Sequence, residues 1–270
     1  MSRAELPIAH AVALGALHGP AELLPISSSG HVTVVPWLLD WPYGGLDAEL
    51  RKAFEVALHA GTAAGLVLAL RGEVEEAARG LDRRRVELVV LSFLPPAVVA
   101  LALERPIERR LGTPATIAAG LLAGSAAMAL ADRAPQRRRR DEARSLDALW
   151  LGIAQACALV PGVSRNGATL VAARLRGFGR EDANALSRHV ALPIITAAAA
   201  LKGWRLSRRG LPPGASAAFA AGTAASFVST LASTWLIRQV ERDRSLLPYA
   251  AYRAAVAALV IRRLRENRGG

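Results

Sequence analysis

Apolar residues run along this chain in long blocks, and Arg-rich pieces separate one block from the next. Runs that approach the ~20 residues needed to cross a bilayer core predict membrane-spanning helices rather than amphipathic surface ones. Six are marked out: Ala53–Leu70, Val86–Leu103, Thr113–Ala131, Asp182–Leu201, Ala215–Ile237 and Leu247–Ile261. The last is short. Thr113–Ala131 is the cleanest, with no charge before Asp132. Gly61-x-x-x-Gly65 and Gly120-x-x-x-Gly124 set small residues one turn apart, the spacing that permits close helix contact.

Two apolar pieces, Pro7–Leu17 and Leu146–Leu159, are too short to span. Each runs into a stretch rich in Pro, Gly and hydroxyl residues: Glu22-Leu-Leu-Pro-Ile-Ser-Ser-Ser-Gly-His31 and Pro161-Gly-Val-Ser-Arg-Asn-Gly-Ala-Thr169. Another short apolar piece follows each break, so both read as re-entrant helical hairpins. Leu14-Gly15 and Pro25-x-x-Ser28 in the first are echoed by Leu151-Gly152 and Pro161-x-x-Ser164 in the second. Three spans follow each hairpin, and an odd number of crossings turns the second half upside down. The expected fold is therefore all-α: one polytopic membrane domain over 1–270, with about six transmembrane helices and two re-entrant hairpins. Its inverted-repeat halves cover approximately 1–136 and 137–270.

Composition sharpens this picture. The chain is 52% hydrophobic yet 5% aromatic, and its formal charge is +12. Such a charge invites a nucleic-acid reading. The Arg residues lie in blocks between apolar runs, not along one face, which is the pattern of membrane loops. The loops Arg71–Arg85, Arg133–Arg144, Arg174–Arg180 and Arg238–Arg244 share one side and hold 17 Lys and Arg residues. The other side, which includes Arg3, holds 14. The positive-inside rule weakly assigns the first set to the cytoplasm, with Arg137–Arg140 as its best witness. Arg3 and the apolar stretch from Leu6 to Leu17 resemble a signal peptide, but His10 interrupts it and no small-x-small site follows, so the segment is read as retained. The single cysteine, Cys157, excludes an internal disulfide and is expected as a buried small hydrophobe.

Ionisable residues inside such breaks are functional candidates by default, because irregular backbone survives there only in protein or beside a wet cavity. Glu22 reads either as the partner of a structural Arg or as a base, a His-orienting acid or a cation ligand. Ser27, Ser28, Ser29 and Gly30 suit both a helix cap and a prepared anion site at a helix N-terminus. His31 in that company suits acid–base work. Ser164, Arg165, Asn166 and Gly167 supply the complement, since the guanidinium fork grips phosphate oxygens at two points. The anion facing Arg165 is a diphosphate ester or Glu22 itself. Thr169 adds a hydroxyl or faces a neighbouring helix.

These two segments resemble the signature regions of the bacterial undecaprenyl-diphosphate phosphatase family, the bacitracin-resistance type of membrane enzyme. The likeness continues through Phe54-Glu-Val-Ala-Leu-His-Ala-Gly61, Leu192-Pro-Ile194 and Ser245-Leu-Leu-Pro-Tyr-Ala-Ala-Tyr-Arg253. It implies hydrolysis of a C55 polyprenyl diphosphate to the monophosphate carrier lipid of cell-wall synthesis. The expected setting is the bacterial cytoplasmic membrane, with the site open to the outer face. The resemblance also implies a divalent cation, Mg²⁺ or Ca²⁺, on Glu22. Catalytic roles fall on Glu22, Ser28, His31 and Arg165. Substrate contacts fall on Ser27, Ser29, Gly30, Ser164, Asn166, Gly167 and Thr169. Either Ser28 attacks phosphorus while His31 and Glu22 manage the proton, or His31 attacks directly. Three positions depart from the family pattern: His18 in place of Glu or Gln, His59 in place of Gln, and Asn166 in place of Ser. Glu55 and His59 share a helical face and are expected to pair locally. A transporter or flippase for anionic isoprenoid lipids is the alternative, and a homodimer is among the assemblies open to such a chain.

Overall fold

A computed structural model describes residues 6–80, 82–209, 214–242 and 245–269. Arg3 and Arg244, counted among the loop cations above, lie outside the described residues. The described chain is helical, and the one β-type contact among its residues is an isolated bridge between Arg138 and Phe178.

The first hairpin is α1 (Ile8–Leu23), a turn, and α2 (Ser28–Leu38); the second is α7 (Ser145–Cys157), a longer turn, and α8 (Arg165–Leu175). In both, the break ends on a serine that caps the next helix. Ser27 Oγ accepts from the Gly30 N–H at 3.4 Å, and Ser164 Oγ from the Gly167 N–H at 3.1 Å. The caps therefore align Ser27 with Ser164, at the same offset as Gly15 with Gly152. The Pro-x-x-Ser echo is one residue out of this register. Ser27 holds a positive φ of 79°, a conformation that side chains other than glycine rarely adopt.

Between the hairpins run α3 (Ala48–Ala69), the short α4 (Arg71–Arg79), α5 (Arg83–Leu111) and α6 (Pro114–Asp132). After them come α9 (Arg180–Arg209), α10 (Ser216–Ala232), α11 (Trp235–Arg242) and α12 (Leu247–Gly269). The start of α5 (Arg83–Leu103) and α6 are long and apolar enough to cross a membrane, and α10 with α11 counts as a third if taken as one span. That pair is a correction: the run expected as one helix to Ile237 bends by 50° at Ser233-Thr234, with neither Pro nor Gly to announce it. The last helix extends beyond Ile261, because its final turns are exposed and carry Arg262, paired with Glu266, and Arg263, paired with Asp40.

Helix α1 lies along α10, α5 along α7, and α6 along α12, while α3 packs on α10 and α9. Three small cores result: Leu14, Phe54, Leu58 and Phe219; Val34, Ile117, Leu121 and Ala257; and Leu151, Leu170, Phe178 and Leu186. Both glycine pairs are used. A Cβ on Gly61 would strike the Thr223 carbonyl of α10, and one on Gly120 would come within 2.7 Å of the Pro161 carbonyl. Side chains there would push α3 off α10 and the second hairpin off α6. The outward face of α5 presents Val86, Val90, Leu94 and Val98, about one turn apart and half exposed, as a lipid-facing stripe does. Cys157 is exposed, contrary to expectation, because α7 ends there and turns its last residue outward.

The basic loop after α6 is partly structural. Arg138 grips Asp147 at 2.7 and 3.0 Å and lies over the Phe178 ring, 4.3 Å from its centre. Arg176 holds the same carboxylate at 2.7 Å.

Candidate active site

The two breaks meet. Arg165, the first residue of α8, forms an ion pair with Glu22 in the last turn of α1, and the other carboxylate oxygen of Glu22 accepts from Ser28 Oγ. Glu22 thus joins both hairpins, and of the two anions expected to face Arg165 it is Glu22 that does so here. Asn166 Nδ2 adds a bond to the Leu23 carbonyl at 2.8 Å, and its Oδ1 accepts from Ser187 Oγ at 3.1 Å.

His31 stands one turn further along α2. Its Nδ1 is 2.7 Å from the Ser27 carbonyl, which only accepts, so that nitrogen carries the proton. Its Nε2 therefore accepts, and the group 2.8 Å away is the Tyr252 hydroxyl of α12. Neither ring nitrogen bonds to Glu22. Arg253 follows Tyr252 and is 1% exposed. It donates to the Pro25 carbonyl of one break and the Gly162 carbonyl of the other, both at 3.1 Å, and to Gly120 at 3.4 Å. Tyr252 and Arg253 join the candidate site, though the motif chemistry did not single them out; they lie at the end of a segment read only through the family resemblance.

The remaining expected contacts divide. Ser29 is half-buried, and its carbonyl accepts from Thr33 Oγ1 at 3.2 Å. Gly30 and Gly167 pack tightly: a Cβ on Gly167 would lie 2.5 Å from Met128 Cε and 3.0 Å from Arg253 Nη1. Thr169 is fully buried, bonded to the Arg165 and Asn166 carbonyls and to Ser187. It faces α9 and fastens α8 there. His59 does not pair with the Glu55 side chain; its Nδ1 lies 2.8 Å from the Glu55 backbone carbonyl, while the Glu55 carboxylate is 3.9 Å from Lys52 Nζ.

A half-open cleft begins at this centre. Its lining combines the polar Glu22, Arg165, Asn166, Asn184, Ser187 and Arg188 with the apolar Leu66, Leu70, Ala191, Leu192, Ile195 and Ile237. Arg188 is engaged by Glu241 and by Glu73, the latter at 3.5 Å. The cleft is amphiphilic, with two guanidinium groups and a hydrocarbon lining.

One donor from each of His18, Glu22 and His59 lies within 4.8 Å of the others. This set does not fit Mg²⁺ or Ca²⁺. Those ions take oxygen ligands, six for Mg²⁺ in near-ideal octahedral geometry and six to eight for Ca²⁺. Two of the three donors here are imidazole nitrogens.

The comparisons agree with this architecture. The sequence model described as bacitracin resistance protein BacA matches residues 11–259. An undecaprenyl-diphosphatase of Geobacter sulfurreducens is 38% identical, over 95% of this chain and 98% of the relative. The undecaprenyl-diphosphatase of Geobacter metallireducens is 37% identical over 93% and 96%, and that of Moorella thermoacetica 34% over 95% and 97%. Matches of this extent take in both hairpins, the intervening helices and most of α12. The chain belongs to the bacitracin resistance protein BacA family.

Proposed function

We propose that this protein is a membrane phosphatase that hydrolyses undecaprenyl diphosphate to the monophosphate and inorganic phosphate, serving cell-wall lipid recycling in a bacterial cytoplasmic membrane. The names of its relatives support the reaction. The amphiphilic cleft supports the substrate class: a diphosphate needs the guanidinium groups and an isoprenoid chain needs the apolar lining.

The observation that carries the chemistry is the Ser28–Glu22–Arg165 chain. Ser28 Oγ–H already points at a carboxylate that can take its proton. In the proposed reaction Ser28 Oγ bonds to the terminal phosphorus, the bridging P–O bond breaks, and the prenyl monophosphate leaves. The Ser28 proton moves to Glu22. Water, giving a proton to His31 Nε2, then attacks phosphorus. The Ser28–phosphorus bond breaks, inorganic phosphate leaves, Glu22 returns its proton to Ser28 Oγ, and His31 passes its proton on to the departing phosphate. Arg165 divides its donors between Glu22 and phosphate oxygens, where charge grows in the transition state. The N-termini of α2 and α8 add aligned N–H groups. His31 is the less apt nucleophile, because its free lone pair is held by Tyr252.

The same reading gives the fold about six transmembrane helices and two re-entrant hairpins in inverted halves. Helix exchange supports the repeat: α1 packs on α10 as α7 packs on α5, and α6 meets its counterpart α12. The cleft lining also includes Leu70, Asn184 and Val240, close in sequence to the loops assigned to the cytoplasm. That lining favours a second reading, in which the same site also carries an anionic prenyl lipid between leaflets.

Phosphate release from a prenyl diphosphate by the purified protein tests the first reading. Ser28→Ala is expected to lower turnover by about 10³-fold or more, since it removes the nucleophile. Near-parental turnover of this variant overturns the assignment. If the parent releases no phosphate but moves labelled lipid between vesicle leaflets, the second reading replaces the first.

A further inference from the structure

We propose that His18, Glu22 and His59 form a binding site for a first-row transition-metal dication of the Zn²⁺ or Co²⁺ class.

The positions of the protons carry the argument. Ser226 Oγ donates to the Leu58 carbonyl at 2.7 Å, so its proton is committed there. Thr62 Oγ1, 2.7 Å from Ser226 Oγ, must then donate to it. With its own proton engaged, Thr62 accepts from His18 Nδ1 at 2.8 Å. The hydroxyl relay therefore fixes His18 as the Nδ1–H tautomer and leaves a lone pair on Nε2. That nitrogen is fully buried and has no hydrogen-bond partner. His59 reaches the same state by a different route: its Nδ1 faces the Glu55 carbonyl and must carry the proton, leaving Nε2 as a lone pair.

Two imidazole lone pairs and a carboxylate thus converge, with the His18 and His59 rings edge to face at 4.4 Å. Three acceptors turned toward one another repel unless a cation stands among them. Glu22 keeps lone pairs for it while bonded to Arg165 and Ser28, because a carboxylate has about four acceptor sites. Imidazole suits Zn²⁺ and its neighbours, whereas Mg²⁺ and Ca²⁺ favour oxygen. Three protein donors with open positions are the arrangement of reactive rather than structural zinc sites. Thr62 supplies the outer hydrogen bond that metal-ligating histidines characteristically donate.

The rival occupant is a proton shared between His18 and Glu22, and metal binding separates the two. The full-length protein, without a polyhistidine tag, is stripped with chelator in detergent, loaded with Zn²⁺ and desalted in excess Mg²⁺. One zinc per chain is expected by elemental analysis, and Co²⁺ should give visible ligand-field bands. Thr62→Val should weaken binding about 10–100-fold. His18→Gln and His59→Gln should weaken it further. Circular dichroism and metal-free melting confirm that each variant is folded, and Zn²⁺ should raise the melting temperature of the parent most and of the histidine variants least. No retained zinc, displacement of zinc by Mg²⁺, or equal retention by both histidine variants overturns the site. None of these readouts uses turnover, so the metal site stands or falls separately from the phosphatase reading.

Discussion

His31 and Tyr252, 221 positions apart, are joined by a 2.8 Å hydrogen bond with their rings stacked at 5.6 Å. The Ser27 carbonyl fixes the imidazole proton on Nδ1, so the tyrosine hydroxyl covers the one ring nitrogen left to accept a proton. The last helix therefore reaches into the first hairpin.

Tyr252→Phe should lower kcat about tenfold with little change in KM, while His31→Ala should cost about 10²–10⁴-fold, the range for a general acid or base. Steady-state kinetics on a short-chain prenyl diphosphate checks both. A Tyr252→Phe enzyme with parental kcat would reduce the tyrosine to a packing role.

Glu22 and Arg165 make a second test. Lysine keeps the charge of Arg165 but loses the planar fork, so it cannot meet Glu22 and a phosphate oxygen from two separate nitrogens. Arg165→Lys should lower kcat/KM by about 10²-fold and Arg165→Ala by more. Equal turnover in the lysine variant and the parent would show that charge alone suffices.

Ser27 isolates strain from capping. Replacement by Gly relieves the positive φ, worth roughly 1 kcal/mol, and loses only a few tenths as a cap. Ser27→Gly should therefore melt at or above the parental temperature, whereas Ser27→Ala keeps the strain, loses the cap and should fall by about 1 kcal/mol. A glycine variant that melts as low as the alanine one would place the value of Ser27 in its hydroxyl rather than in its strained backbone.

Which of these features the sequence disclosed follows from the range of each signal. Proline, glycine and serine act locally, so both hairpin breaks were legible and the Ser27–Gly30 run stood out as a cap, whereas the matching cap at Ser164 did not. Apolar length located α5 and α6 as helices able to cross a membrane but not the bend at Ser233-Thr234, which no Pro or Gly announces. Helical spacing put Glu55 and His59 on one face, yet His59 bonds the backbone instead. Convergence of His18 with His59, and of Tyr252 with His31, joins separate helices. No periodicity within one helix encodes which helix lies opposite.

Arg253 shows how much rests on such a long-range contact. Its guanidinium satisfies carbonyls in both breaks, Pro25 and Gly162, and these have no ladder of their own. Arg253→Met leaves them unpaired in a dry interior, at a cost of about 3 kcal/mol. The melting temperature in detergent should drop clearly, and turnover should fall with it, because Glu22 and Arg165 ride on the two hairpins. A parental melting temperature would mean that the hairpins hold each other without the clamp.

Asp147 gives a pH dependence whose sign follows from its partners. It lies in the first turn of α7, next to the basic loop and outside the membrane-spanning helices. Burial pushes its carboxyl up, but hydrogen bonds from Arg138, the Arg144 N–H and Arg176 outweigh this and hold it to about 2. A carboxylate with a depressed folded value contributes stability that is fully present above its unfolded value near 4 and is lost as pH falls toward 2. The contribution is about 2 kcal/mol. Melting temperature should therefore decline between about pH 4 and pH 2 in the parent. Asp147→Asn should begin lower at neutral pH and decline less across that window, because the amide has no proton to gain. Parallel pH profiles for the two proteins would show that other carboxylates carry the acid sensitivity and that Asp147 does not anchor the second hairpin to its loop.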